Sequence, residues 1–67
     1  MRVIVTGASG FVGSNLIKNL IQKNYDVLSI SRKNINLDCI SLNTKDIFTE
    51  KGLNMIEKFA PTHFIHT

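Results

Sequence analysis

Three glycines spaced three apart, Gly7, Gly10 and Gly13, constrain this chain more than any other feature. They follow Val3-Ile4-Val5-Thr6, a run of apolar and β-branched residues, and precede an apolar pattern with helical spacing. The order is strand, glycine turn, helix. Such a turn aims backbone N–H groups and the positive end of a helix dipole at one point, where a phosphate can sit. Gly7 lets the chain turn, Gly10 lets the backbone approach a pyrophosphate, and Gly13 lets the helix pack close to the strand. A glycine-rich stretch alone could be a flexible turn; the flanking strand and helix are the context a phosphate-binding turn requires. A P-loop would end in Gly-Lys-Ser/Thr, whereas Gly13 runs into Ser14 with no lysine, so that alternative is excluded.

The run Thr6-Gly7-x-x-Gly10-Phe11-x-Gly13 resembles the extended short-chain dehydrogenase/reductase family, the NAD(P)-dependent sugar epimerases, dehydratases and reductases. The resemblance implies that Gly7, Ser9, Gly10, Phe11, Val12 and Gly13 line a dinucleotide site. It names no substrate. The expected fold is α/β, an incomplete Rossmann-like three-layer unit with a short parallel sheet in the order 3-2-1-4. Right-handed crossovers and the glycine turn place the first strand at the centre.

Sixty-seven residues make one domain at most, and a chain of that size buries only about 60% of its unfolded surface. A 43% hydrophobic content removes it from the compositionally disordered class. The net charge of +3 is scattered along the chain, which argues against nucleic acid as a partner. Cys39 is the only cysteine, so no internal disulfide or cysteine cluster can form, and a reduced, cytoplasmic setting is expected. The four residues between Arg2 and Gly7 are too few for a signal-peptide core, and no apolar run reaches membrane-spanning length.

Read in order, Arg2 to Thr6 is a strand buried on both faces, since its apolar residues are consecutive. A helix runs from about Gly10 to Lys23, with Val12, Leu16, Ile17, Leu20 and Ile21 as its inner stripe. Phe11, Val12 and Leu16 read more readily as core than as a ligand stripe. Asp26 to Ser31 is a second strand. Arg32 to Leu37 is a polar connection, and Cys39 to Leu42 a brief third strand. That connection is short for a parallel crossover, which usually carries a helix. A second helix from Thr49 to about Phe59 takes Thr49 as N-cap and Glu50 in its first turn. Leu53, Ile56 and Ala60 form its inner stripe, with Met55 and Phe59 beside it. Pro61 ends it, and Thr62 to His66 is a fourth strand.

Cofactor choice is read at the end of the second strand. NAD enzymes carry an acidic residue there, about 20 positions past the glycines, to hold the ribose 2′-hydroxyl. This chain has Ser31, Arg32 and Lys33. No carboxylate repels a 2′-phosphate and two cations attract it, so NADP is expected, with NAD as the alternative. Asp38 lies beyond the loop and is a poor substitute. The resemblance further implies that Asp46 and Ile47 border the adenine. Pro61, Ile65 and His66 fit the family's Pro-Asp-x-Val-Ile-His, while His63 does not repeat an acidic residue in this stretch.

No catalytic residue is expected in this chain. Tyr25 is the only tyrosine, and Ser29 stands where the family's Tyr-x-x-x-Lys needs its lysine. His63 and His66 could suggest a metal pair, but residues three apart on a strand face opposite ways. The resemblance covers essentially all 67 residues and only the first part of the family's domain. Residues 1–67 therefore read as the N-terminal part of an NAD(P)-binding Rossmann domain, with no second domain and no turnover of its own. A small-molecule substrate belongs only to a full-length parent of nucleotide-sugar metabolism. The other readings are a non-catalytic nucleotide-binding or sensor module, and an inactive remnant.

Overall fold

The computed structural model describes residues 1–33, 37 and 39–67. Its elements are β1 (Arg2–Thr6), α1 (Phe11–Gln22), β2 (Asp26–Ser31), β3 (Ile40–Asn43), a 3-10 turn (Thr44–Asp46), α2 (Glu50–Phe59) and β4 (His63–His66). The four strands are parallel, in the order β3-β2-β1-β4, as the sequence leads one to expect. Residues 34–36 of the polar connection, and Asp38, lie outside the described residues.

The sheet is covered on both sides, which explains why its central strands are continuously apolar. Alternation sends Val3 and Val5 to one face and Ile4 to the other. On the first face, Ile17 and Leu20 of α1 pack with Val3, Val5, Ala8 and Val27. On the second, Phe59 of α2 packs with Ile4, Leu28, Ile30 and Leu42. Two apolar layers around one thin sheet give the α/β sandwich. Among the described residues, no helix is long and apolar enough to cross a membrane.

Both helices sit differently from the stripes expected. In α1 the buried line is Gly13, Ile17 and Leu20, while Phe11 is 84% and Val12 68% exposed. Neither is core. The axis of contact is set by Gly13, and at 3.6 residues per turn Phe11 lies about 200° away from it. In α2 the buried residues are Gly52 and Phe59, flanked by the half-buried Met55 and Ile56. Leu53 is half out of the core, and Ala60 is the C-cap, with a left-handed φ of 51°. Leu53 and Ala60 both fall roughly 80–100° off the Gly52 line, which takes them to the flank. The third strand begins at Ile40, one residue later than expected, and ends at Asn43.

The elements end where local chemistry dictates. Asn24 takes φ 63° after α1, and the Tyr25 amide donates to the Leu20 carbonyl at 3.0 Å, a closure that suits asparagine. At the start of α2, Thr49 Oγ1 accepts the Gly52 amide at 3.1 Å and donates to the Asp46 carbonyl at 2.7 Å. Thr49→Ala should therefore cost about 1 kcal/mol, a fall of roughly 4–8 °C in Tm, and Thr49→Ser should restore most of it. Thermal unfolding followed by circular dichroism checks both.

Candidate functional site

The carboxyl ends of parallel strands, where the order reverses across the sheet, form the crevice in which such folds bind ligands. Here β1 runs into the glycine turn, β2 into Arg32 and Lys33, and β3 into the 3-10 turn holding Asp46, all at that edge. The expected site residues therefore gather at one end of the sheet. Ala8, at the base of the glycine turn, is fully buried and its amide donates to the Ile30 carbonyl of β2 at 3.4 Å. Asn43 Nδ2 donates to the Arg32 carbonyl at 3.3 Å. Hydrogen bonds thus join the β1 turn to β2, and the β2 loop to β3.

The glycines serve distinct ends. Gly7 adopts φ +68°, a conformation that side chains resist, and its carbonyl accepts the Gly10 amide at 3.1 Å. A Cβ on Gly7 would also meet the Thr67 hydroxyl and carbonyl. At Gly13 a Cβ would fall on the Gly7 carbonyl oxygen and lie 3.0 Å from Ala8 Cα. Helix and turn touch there backbone to backbone. Gly10 is different: its φ is −77°, and an added Cβ would meet only the Gly7 carbonyl at 3.4 Å. Among the described residues, no neighbouring atom excludes a side chain at this position.

The two helix starts also differ. α2 has a threonine cap and Glu50 in its first turn. The N-cap of α1 is Gly10, with no side-chain cap bond and no acidic residue in the first turn. Its first N–H groups lack intrahelical partners by construction, and its dipole is not offset by an acid. Ser9, Phe11 and Val12 stand exposed beside this terminus.

On the β2 side, Ser31 is 6% exposed and its hydroxyl donates to the Lys33 carbonyl. Arg32 and Lys33 are exposed, while Asp46 and Ile47 are half-buried. His66 Nδ1 pairs with Thr6 Oγ1 at 2.5 Å, and His63 Nδ1 with Thr62 Oγ1 at 2.9 Å. The two rings face different strand ends. Among the described residues, no group of three histidine, cysteine or acidic side chains could hold a metal ion. A groove at the opposite, amino end of the sheet is lined by Arg2, Tyr25, Asp26, Cys39, Met55 and Phe59; it lies away from the glycine turn.

Fold and turn together define a Rossmann-like α/β unit. The sequence profile of the NAD dependent epimerase/dehydratase family matches residues 3–67, and the chain belongs to that family. A 3-beta-hydroxysteroid dehydrogenase of Mycolicibacterium neoaurum is 52% identical over 31 residues, which are 46% of this chain and 8% of that protein. UDP-glucose 4-epimerase of Thermotoga maritima, solved with UDP-glucose, matches all of this chain and 24% of its own at TM-score 0.81 and 22% identity. WbmG of Bordetella bronchiseptica, solved with NAD and UDP, matches all of this chain and 24% of its own at TM-score 0.69 and 27% identity. The chain thus spans about a quarter of these solved relatives.

Proposed function

We propose that residues 1–67 are the N-terminal part of a nicotinamide-dinucleotide-binding domain, with the pyrophosphate held at the Gly7–Gly13 turn. The observation that carries this reading is the start of α1. It has no side-chain cap and no acid in its first turn, and it opens on a glycine that the packing around it does not demand. A pyrophosphate needs that combination: bare N–H groups, an uncompensated dipole and room for close backbone approach. Family membership and the NAD complex of WbmG support it. In this reading Ser9, Phe11 and Val12 flank the dinucleotide, and Asp46 and Ile47 border the adenine.

NADP is the preferred cofactor. The support is chemical: Arg32 and Lys33 stand exposed where an acid would hold a ribose hydroxyl, and Arg32 can offer a forked pair of donors to a 2′-phosphate. Ser31 assists from behind, since its hydroxyl is spent on the Lys33 carbonyl. A charge-assisted bond at a solvated site is worth about 1.4 kcal/mol, or roughly tenfold in affinity. The chain should bind NADP about tenfold more tightly than NAD at low salt, with the gap narrowing as salt screens the charges. Arg32→Ala should bring the two affinities together. Calorimetric titration with both cofactors at several salt concentrations checks this, and equal affinities in the unmutated chain would reject it.

The substrate class proposed for a full-length parent is a nucleotide sugar or a similar carbonyl compound, by analogy with the UDP-sugar complexes of the solved relatives. The residues present bind and orient a cofactor. The reading assigns no turnover to this chain alone.

A further inference from the structure

Asn43 ends β3 opposite Ser31 of β2, and its side chain has two partners. Its Oδ1 accepts the Lys45 amide at 3.0 Å, capping the 3-10 turn. Its Nδ2 donates to the Arg32 carbonyl at 3.3 Å. The partners fix the orientation of the amide, because an N–H can only donate and a carbonyl can only accept. Capping alone does not need asparagine. Serine, threonine or aspartate would serve as well, and only the amide adds a donor long enough to cross to the neighbouring loop. The carbonyls of both Arg32 and Lys33 are thereby tied down, one to Asn43 and the other to Ser31. The side chains of both cations remain exposed.

We infer that Asn43 is a positioning residue for cofactor selectivity: it locks the Arg32–Lys33 turn to the loop carrying Asp46, so the 2′-phosphate and adenine contacts are pre-set relative to each other. This rests on the NADP reading above. The physical basis is pre-organisation. A loop already held in its bound shape loses less conformational freedom when the ligand arrives. The dependence falls on the 2′-phosphate in particular, since that group meets the Arg32 turn and NAD lacks it.

The test uses Asn43→Ser, which keeps a capping oxygen, adds no charge and removes the donor to Arg32. The NADP-to-NAD affinity ratio should fall about fivefold, the scale of one modest hydrogen bond, with a melting temperature lowered by no more than about 4–8 °C. A purely structural role would move stability and leave the ratio alone. Arg32→Ala is titrated alongside. If Arg32→Ala collapses the ratio and Asn43→Ser leaves it at the parent value, the inference about Asn43 is wrong and the NADP reading stands. If Arg32→Ala leaves the ratio untouched as well, or the parent shows no preference, the NADP reading fails and takes this inference with it.

Discussion

Gly13→Ala should lower the melting temperature of this chain by about 10–20 °C, the equivalent of roughly 2–3 kcal/mol for a domain this small. The sign is the informative part. Gly13 lies inside α1, where alanine is normally favoured over glycine by about 1 kcal/mol. Sterics oppose that gain. The new methyl would land on the Gly7 carbonyl oxygen and press on Ala8 Cα, both backbone atoms of a turn that is itself tied to β2 and to Thr67 at the end of β4. No rotamer change relieves such a contact, so α1 must lift from the sheet and loosen Ile17 and Leu20 over Val3, Val5 and Val27. A fold of this length holds only about 3–10 kcal/mol in total, so the loss is a large share of it. Gly10→Ala is the contrasting variant. Its methyl meets one atom at 3.4 Å, so the loss is limited to the N-cap preference for glycine over alanine, about 0.5–1 kcal/mol, whereas dinucleotide affinity should drop. Thermal melts and cofactor titrations on the pair separate packing from binding. A Gly13→Ala protein as stable as its parent would overturn the close-contact account.

The order of elements was legible because two strong local signals agree. Consecutive apolar residues at Val3-Ile4-Val5 and Val27-Leu28 mark strands buried on both faces, and the observed β1 and β2 match the expected limits. Thr49 and Pro61 frame α2 by capping and by steric exclusion, independently of what packs on it. The faces of the helices were less legible. Side-chain hydropathy pointed to Val12 and Leu53, but each helix is seated through a glycine, Gly13 or Gly52, where backbone meets backbone. A glycine has no hydropathy to enter the pattern, although an isolated one inside a helical run hints at a packing reason. Within the candidate site, the three glycines and the two cations could be read directly. The role of Asn43 could not, because one of its two partners is eleven residues away and becomes a neighbour only through the register of β2 and β3. The amide ahead of a short turn was the available sign, and it accounts only for the cap. Thr67, whose hydroxyl donates to the Thr6 carbonyl at 2.7 Å, depended likewise on the pairing of β4 with β1.

Gly52→Ala is expected to destabilise the chain by about 2 kcal/mol, although it too places alanine within a helix. A Cβ there would fall on the Asp46 carbonyl oxygen, with the Asp46 carbonyl carbon 2.9 Å and the Ile47 oxygen 3.2 Å away. The same Asp46 oxygen accepts the Thr49 hydroxyl at 2.7 Å and the Thr49 amide at 3.2 Å, so the segment cannot swing aside without undoing the start of α2. Two relaxations are open. Either α2 moves outward and weakens Phe59 against Ile4 and Leu28, or the Asp46–Ile47 backbone shifts and the N-terminal cap of the helix is lost. Both cost more than helix propensity returns. The second also displaces the residues proposed to border the adenine, so the affinity of the variant for AMP should fall as well. Melting curves of the Gly52→Ala protein with and without saturating AMP measure both effects. A rise in melting temperature would mean that propensity outweighs the clash, and that α2 does not rest on the Asp46 backbone as described.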